Sequence, residues 1–317
     1  MKFSDIMLDL DTGDASIDDA YIQESIGQVK VASAIFKAAK LISEADYETI
    51  GSMKRVIQEA GLPTDEEGAK KTCNKAIEKE LNGAYKTLMS INKKISGQTK
   101  KVIGVITGVS NHYGITSSGE SISPKDFKDI VSAIKKDKDT ELSKQGKEFV
   151  KGSVAIQFAK KYVNSMVAFY HAFGTDLSGI FDDPVIKSKI SLPKKYNGEC
   201  KNLSSMLMAF EEGTKNIGSD TDITDDDRTS DISASDIGDL LISVYSIHVT
   251  AKYIAENAGA RLDVEYVNSV ISEKASDSDC EKADKSIPEA VDAMKALTDS
   301  SIKTLGDDAS IVGNLFK

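Results

Sequence analysis

ELSKQGKEFVKGSVAIQFAKKYVNSMVAFYHAF, residues 141–173, is the stretch whose reading decides the fold. Val150, Val154, Phe158, Tyr162, Met166 and Phe169 recur at steps of four and then three residues. That spacing lines them up along one side of a helix and makes a nearly continuous apolar ridge. It predicts one long helix over 141–173 at the centre of the core.

The same period governs the chain on both sides. Towards the N-terminus, Ser123-Pro124-Lys125-Asp126 is a helix start, with an N-cap serine, a proline in the first turn and an acid at the third position. The helix it opens carries Phe127, Ile130, Val131 and Ile134. Residues 111–123 read as loop, and KKDKDTE (135–141) as a charged joint. Thr64 with Glu67 starts an earlier helix through Ala76, Leu81, Tyr85, Leu88, Ile91 and Ile95. It continues to Val109, with Gly97 as a possible break. Before it, Ser16 and Asp19 form a capping-box pattern ahead of two apolar stripes, and a second helix spans about 47–60, closed by Gly61 and Pro63.

Beyond Phe173 the pattern breaks. Gly174, Gly179, Pro184, Pro193 and Gly198 punctuate an irregular stretch over 174–198. Helices are then expected over about 200–216, 233–258, 262–274 and 287–305, with a short helical tail. The second begins at a capping box of Ser233 and Asp236 and carries Ile237, Leu241, Val244, His248, Ala251 and Ala255. None of the five prolines is expected in the middle of a helix, and strand-like alternation is not sustained anywhere. The fold class is therefore all-α: a multi-helix bundle with long helices. Two lobes are expected, 1–122 and 123–317, the second holding the irregular loop 174–198 and an acidic loop over 218–233.

Composition narrows the function. The net charge is −10, which argues against nucleic-acid binding, since that needs clustered cations to displace counterions. Lysine groups such as Lys135, Lys136 and Lys138 read as solvated helix faces. No apolar run is long enough to span a membrane, and the acidic N-terminus lacks the apolar core of a signal peptide. Cys73, Cys200 and Cys280 are odd in number and far apart, so neither a disulfide framework nor a zinc site is expected. Reduced thiols fit synthesis in the cytoplasm.

The most chemically loaded stretch is GSDTDITDDDRTSDIS, residues 218–233. Set on a calcium-loop template, Asp220 takes position 1, Asp222 position 3 and Asp231 position 12. Three positions depart from it. Asp225 stands where a turn glycine belongs, Asp227 where an apolar residue belongs, and Asp231 where a longer glutamate would bind bidentately. The sequence favours a solvated connector, with calcium at Asp220, Asp222 and Asp231 as the alternative.

His112, His171 and His248 lie far apart and read as core or edge histidines. Neither a nucleophile elbow nor a zinc-protease helix nor a phosphate loop is present, so no catalytic residue and no cofactor is assigned. The glycines of GVITG (104–108) read as sites of close helix packing.

The N-terminal segment MKFSDIMLDLDTGDASIDDAYIQESIGQVKVASAIFKAAKLI (1–42), a short acidic leader running into an Ala- and Ile-rich helix, resembles virion structural proteins of tailed bacteriophages. The resemblance implies a chain made in the host cytoplasm and packed in a virion, with itself or other particle proteins as partners. It transfers no functional residues. The expectation is a non-enzymatic helical assembly protein acting through protein–protein contacts. A cation-dependent or ligand-binding helical regulatory module is the alternative.

Overall fold

The computed structural model describes residues 66–115, 122–137, 148–198, 200–259, 261–271 and 276–315. The helices expected from Ser16 to Ile42 and over 47–60, and residues 138–141 of the charged joint, lie outside them. Within them the chain is all-α, apart from one two-stranded bridge.

The longest element is α1 (Glu66–His112), which passes Gly97 without a break. α2 (Pro124–Lys136) starts as its sequence dictates: the Ser123 hydroxyl accepts the Asp126 N–H at 3.1 Å, and Pro124 occupies the first turn. Next come β1 (Phe149–Val150), α3 (Gly152–Ala172), α4 (Ser178–Asp182) and α5 (Pro184–Lys189). α6 (Leu203–Ile217), β2 (Arg228–Thr229), α7 (Ala234–Asn257) and α8 (Val264–Ile271) follow. α9 (Asp277–Leu297) runs through a π-helical turn, Thr298–Ile302, into α10 (Lys303–Leu315).

Four expectations are corrected. The central helix begins at Gly152. Upstream of it, Phe149 and Val150 pair antiparallel with Thr229 and Arg228. The reason is where the N–H groups go: Val150 donates to Asp308, Lys151 to the Asp227 carbonyl, and Gly152 to Asp236. Each is taken by a remote acceptor, so no helical turn forms there. Pro288 lies inside α9, and the single helix expected over 287–305 is replaced by α9, the π turn and α10. The glycines of GVITG make no close contact among the described residues, where a Cβ at Gly104 or Gly108 would meet nothing within 4 Å. Close approach is instead made by Gly313 of α10, whose added Cβ would lie 2.4 Å from a methyl of Val105.

The fourth correction concerns the thiols. Cys73 and Cys280 form a disulfide across a sequence separation of 207 residues, their Cα atoms 6.1 Å apart, and Cys200 is left as a buried thiol. Distance along the chain gives no guide to distance in a fold, so the spacing argument missed the pair.

The residues group into two units. The first takes residues from Met1–Ser90, Cys200–Glu211 and Gly259–Val291; the second from Ile91–Glu199, Glu212–Ala258 and Asp292–Lys317. Both sides of the expected 122/123 boundary fall in the second unit. In the first, Ile77, Leu81 and Leu88 of α1, Leu207 and Phe210 of α6, Val270 of α8 and Ile287 of α9 are buried. The Tyr85 hydroxyl donates to the Gly259 carbonyl at 2.6 Å.

In the second unit α7 packs along α3 and α2. Every residue of α7 from Leu240 to His248 is buried, as is every residue of α3 from Ser165 to Ala172. Helices covered on all sides need apolar residues all round, which is why both sequences read as nearly continuous apolar runs. Phe127 of α2 stacks on Tyr245 of α7 with ring centroids 4.2 Å apart. Each such ring, fully buried, contributes roughly 1.5–3 kcal/mol.

Candidate functional site

Three groupings of polar residues in the second unit could carry chemistry: the acidic loop, a cluster at the end of α3, and a set of polar side chains inside the helical core.

The acidic loop starts where Gly218 (φ +70°) ends α6 in the left-handed conformation that glycine adopts without strain. Its backbone is then fixed by donors from elsewhere. Lys161 of α3 donates to the Asp220 carbonyl, and the hydroxyls of Ser300 and Ser301 in the π turn both donate to the Thr221 carbonyl. Lys151 donates to the Asp226 carbonyl at 2.5 Å. Asp225–Asp227 form one 3-10 turn, opened by a capping box between Thr224 and Asp227. The Thr224 N–H and hydroxyl hold the Asp227 carboxyl below the usual carboxylate range. Arg228 then enters β2, 3.9 Å from the carboxylate of Asp308.

Asp308 is buried and accepts the Val150 N–H at 3.1 Å. Burial raises its pKa, against the opposing pull of that N–H and of Arg228. At the far end of the loop, Ser233 and Asp236 form the expected capping box of α7. Burial alone would raise the Asp236 pKa, but the Ser233 hydroxyl and the Gly152 N–H hold it low. A Cβ on Gly152 would come within 2.9 Å of the Asp239 Cβ and 3.0 Å of the Asp236 Cα, so glycine is what lets α3 start against α7.

The structure does not bring the three residues of the calcium alternative together into one ligand set. Asp220, Asp222 and Asp231 are exposed. Among the described residues no three His, Cys, Asp or Glu side chains gather where they could hold a metal ion. The carboxylates that are used, Asp227 and Asp236, accept backbone N–H groups at helix starts. The loop acts as an anchored connector.

The second grouping surrounds His171 at the end of α3. Glu212 of α6 accepts from both the Lys195 ammonium and the Tyr196 hydroxyl. The Tyr196 ring lies against His171, centroids 5.2 Å apart. Burial lowers the pKa of His171; hydrogen bonds with the Gly198 and Tyr196 backbone oppose that shift and Lys195 adds to it. Burial, together with Glu212, raises the pKa of the Tyr196 hydroxyl. This cluster ties the irregular stretch over 174–198 to α3 and α6. The sequence singled out His171 but gave no signal for Tyr196 or Glu212, because their meeting depends on how the short helical turns fold back.

The third grouping lies in the core. Asn92 of α1 is fully buried between two tyrosines of α3. Its carbonyl accepts the Tyr162 hydroxyl at 2.9 Å, and its amide donates to the Tyr170 oxygen at 3.0 Å and to the Met166 sulfur at 3.6 Å. Farther along α1, the Thr99 hydroxyl lies 2.6 Å from Nδ1 of His248 on α7. Burial, with Lys252 a smaller contributor, pushes the His248 pKa down to about 4, so the ring is neutral at pH 7. Asp183 caps α5 through the Val185 and Ile186 N–H groups and accepts from Tyr245 at 3.3 Å. His112, the remaining histidine, is exposed at the end of α1.

These contacts fix helix register, since a polar group buried in a core must meet its partner at one position along the neighbouring helix. Among the described residues no helix is long and apolar enough to cross a membrane. Comparison with family models, with curated proteins and with solved structures finds no match for this chain.

Proposed function

We propose that the chain is a non-enzymatic helical structural or assembly protein, a component of a phage particle, acting through contacts with copies of itself or with other particle proteins. The observation that carries this reading is where the chemically versatile side chains point. His248 is bonded to Thr99, His171 and Tyr196 are buried against each other, and Tyr162 and Tyr170 meet Asn92 inside the core. A general acid or base must reach a substrate proton; these groups are engaged in holding helices in register. The length of α1 adds to the reading. Its 47 residues extend about 70 Å at the helical rise per residue, with exposed positions along it that other helices can pack against.

Density-gradient fractionation of phage lysate from the source of the chain tests the proposal, with an antibody against the protein as readout. The protein is expected in the particle band and is expected to stay there through a high-salt wash. Recovery only from the soluble fraction, with none in the band, contradicts it.

A further inference from the structure

The first unit contains a feature that helix packing alone does not require. Cys73 on α1 and Cys280 on α9 are bonded, and both are fully buried. Among the described residues this is the one covalent cross-link, and it joins segments that are remote in sequence. Cys280 is the fourth residue of α9. It follows the Ser276–Asp279 cap, in which the Asp279 carboxylate accepts the Ser276 N–H at 2.8 Å and the Ser276 hydroxyl at 2.6 Å. The sulfur therefore lies in the first turn of α9, and helix ends open more readily than helix middles. Cys200 belongs to the same unit but is bonded differently, its sulfur 3.3 Å from the Ser205 hydroxyl.

We propose that Cys73 and Cys280 form a redox-controlled clasp, open in the newly made reduced chain and closed by exchange with a low-molecular-weight disulfide once the protein reaches oxidising surroundings. One thiolate attacks a sulfur of the small disulfide, giving a mixed disulfide and releasing one small thiolate. The second cysteine thiolate then displaces the other. The two cysteine protons end on the two released thiols, the pair is oxidised by two electrons, and the small disulfide is reduced by two. Closure ties the start of α9 to α1 and suppresses local opening of the first unit. Because both sulfurs are shielded, exchange in either direction waits on that opening, so a closed clasp resists brief exposure to reductant.

The test equilibrates the full chain with excess oxidised glutathione or with excess reduced glutathione. Thiols are then counted by a maleimide mass tag in denaturant, and native digestion by a dilute protease is followed in parallel. Closure predicts one tag, on Cys200, after oxidation and three after reduction. Digestion of the reduced protein is expected to be about tenfold faster, since proteolysis follows the population of the opened form. Cys73→Ser and Cys280→Ser should digest like the reduced protein and lose their response to glutathione, while Cys200→Ser should keep it. Reduction of the unmodified chain gives the same reading if a variant does not fold. Three tags after oxidation, or equal digestion of the two forms, overturns the proposal.

Discussion

Asn92→Ala is expected to lower the unfolding free energy by about 3 kcal/mol, read from urea denaturation. The residue is fully buried, and its side chain meets two tyrosines and a methionine on α3. Removing it takes the acceptor from the Tyr162 hydroxyl and a donor from Tyr170, and leaves a cavity. A buried hydroxyl deprived of its partner costs roughly 1–3 kcal/mol, and the lost packing adds to that. The sign of the coupling separates a polar network from simple volume loss. Adding Tyr162→Phe to Asn92→Ala removes the orphaned hydroxyl and should restore about 1 kcal/mol, whereas Tyr162→Phe alone should destabilise. Strictly additive losses would show that the hydrogen bond is not what the site depends on.

Acid should weaken the protein well before its carboxylates protonate. His248 has a folded-state pKa near 4, against an ordinary value of 6.5, so between those values the unfolded chain binds more protons than the folded one. Stability supported by the neutral ring is complete above pH 6.5 and is lost as the pH falls towards 4. The loss is about 2 kcal/mol by pH 5 and about 3 kcal/mol by pH 4. His171, also lowered by burial, acts in the same direction. Asp308 acts in the opposite one: its raised pKa favours the folded state as the pH falls. Asp227, Asp236 and Glu212, all held low, lose their contribution only in the carboxylate range below. His248→Gln keeps an amide within reach of Thr99 but cannot titrate. Its thermal midpoint should change much less between pH 7 and pH 5 than that of the unmodified chain. Equal pH dependence in the two proteins would contradict the assignment.

What could be read from the sequence was what depends on near neighbours. The caps at Ser123 and Ser233 were visible because each is completed within three residues, and the ridge from Val154 to Phe169 because helical periodicity is local. The start of α3 was not visible. It is decided by acceptors on Asp227, Asp236 and Asp308, all more than 70 residues away. The Cys73–Cys280 bond and the partnership of Asn92 with Tyr162 are of the same kind. In the acidic loop, the departures from calcium geometry at Asp225, Asp227 and Asp231 were legible. The lysine and serine donors that hold its backbone were not, because they come from α3 and the π turn.

The proposed function requires that the versatile side chains hold the interior together and that the protein work through its surface, in assembly with other copies or particle proteins. Multi-angle light scattering after size-exclusion chromatography tests this most directly. It would be run on the oxidised full chain over a range of loading concentrations, alone and with the particle proteins proposed as its partners. The expected mass lies above that of one chain, 34.2 kDa, for the protein alone or for its mixture with those proteins, and rises with concentration. A mass of one chain at every concentration, unchanged by the particle proteins, would contradict it.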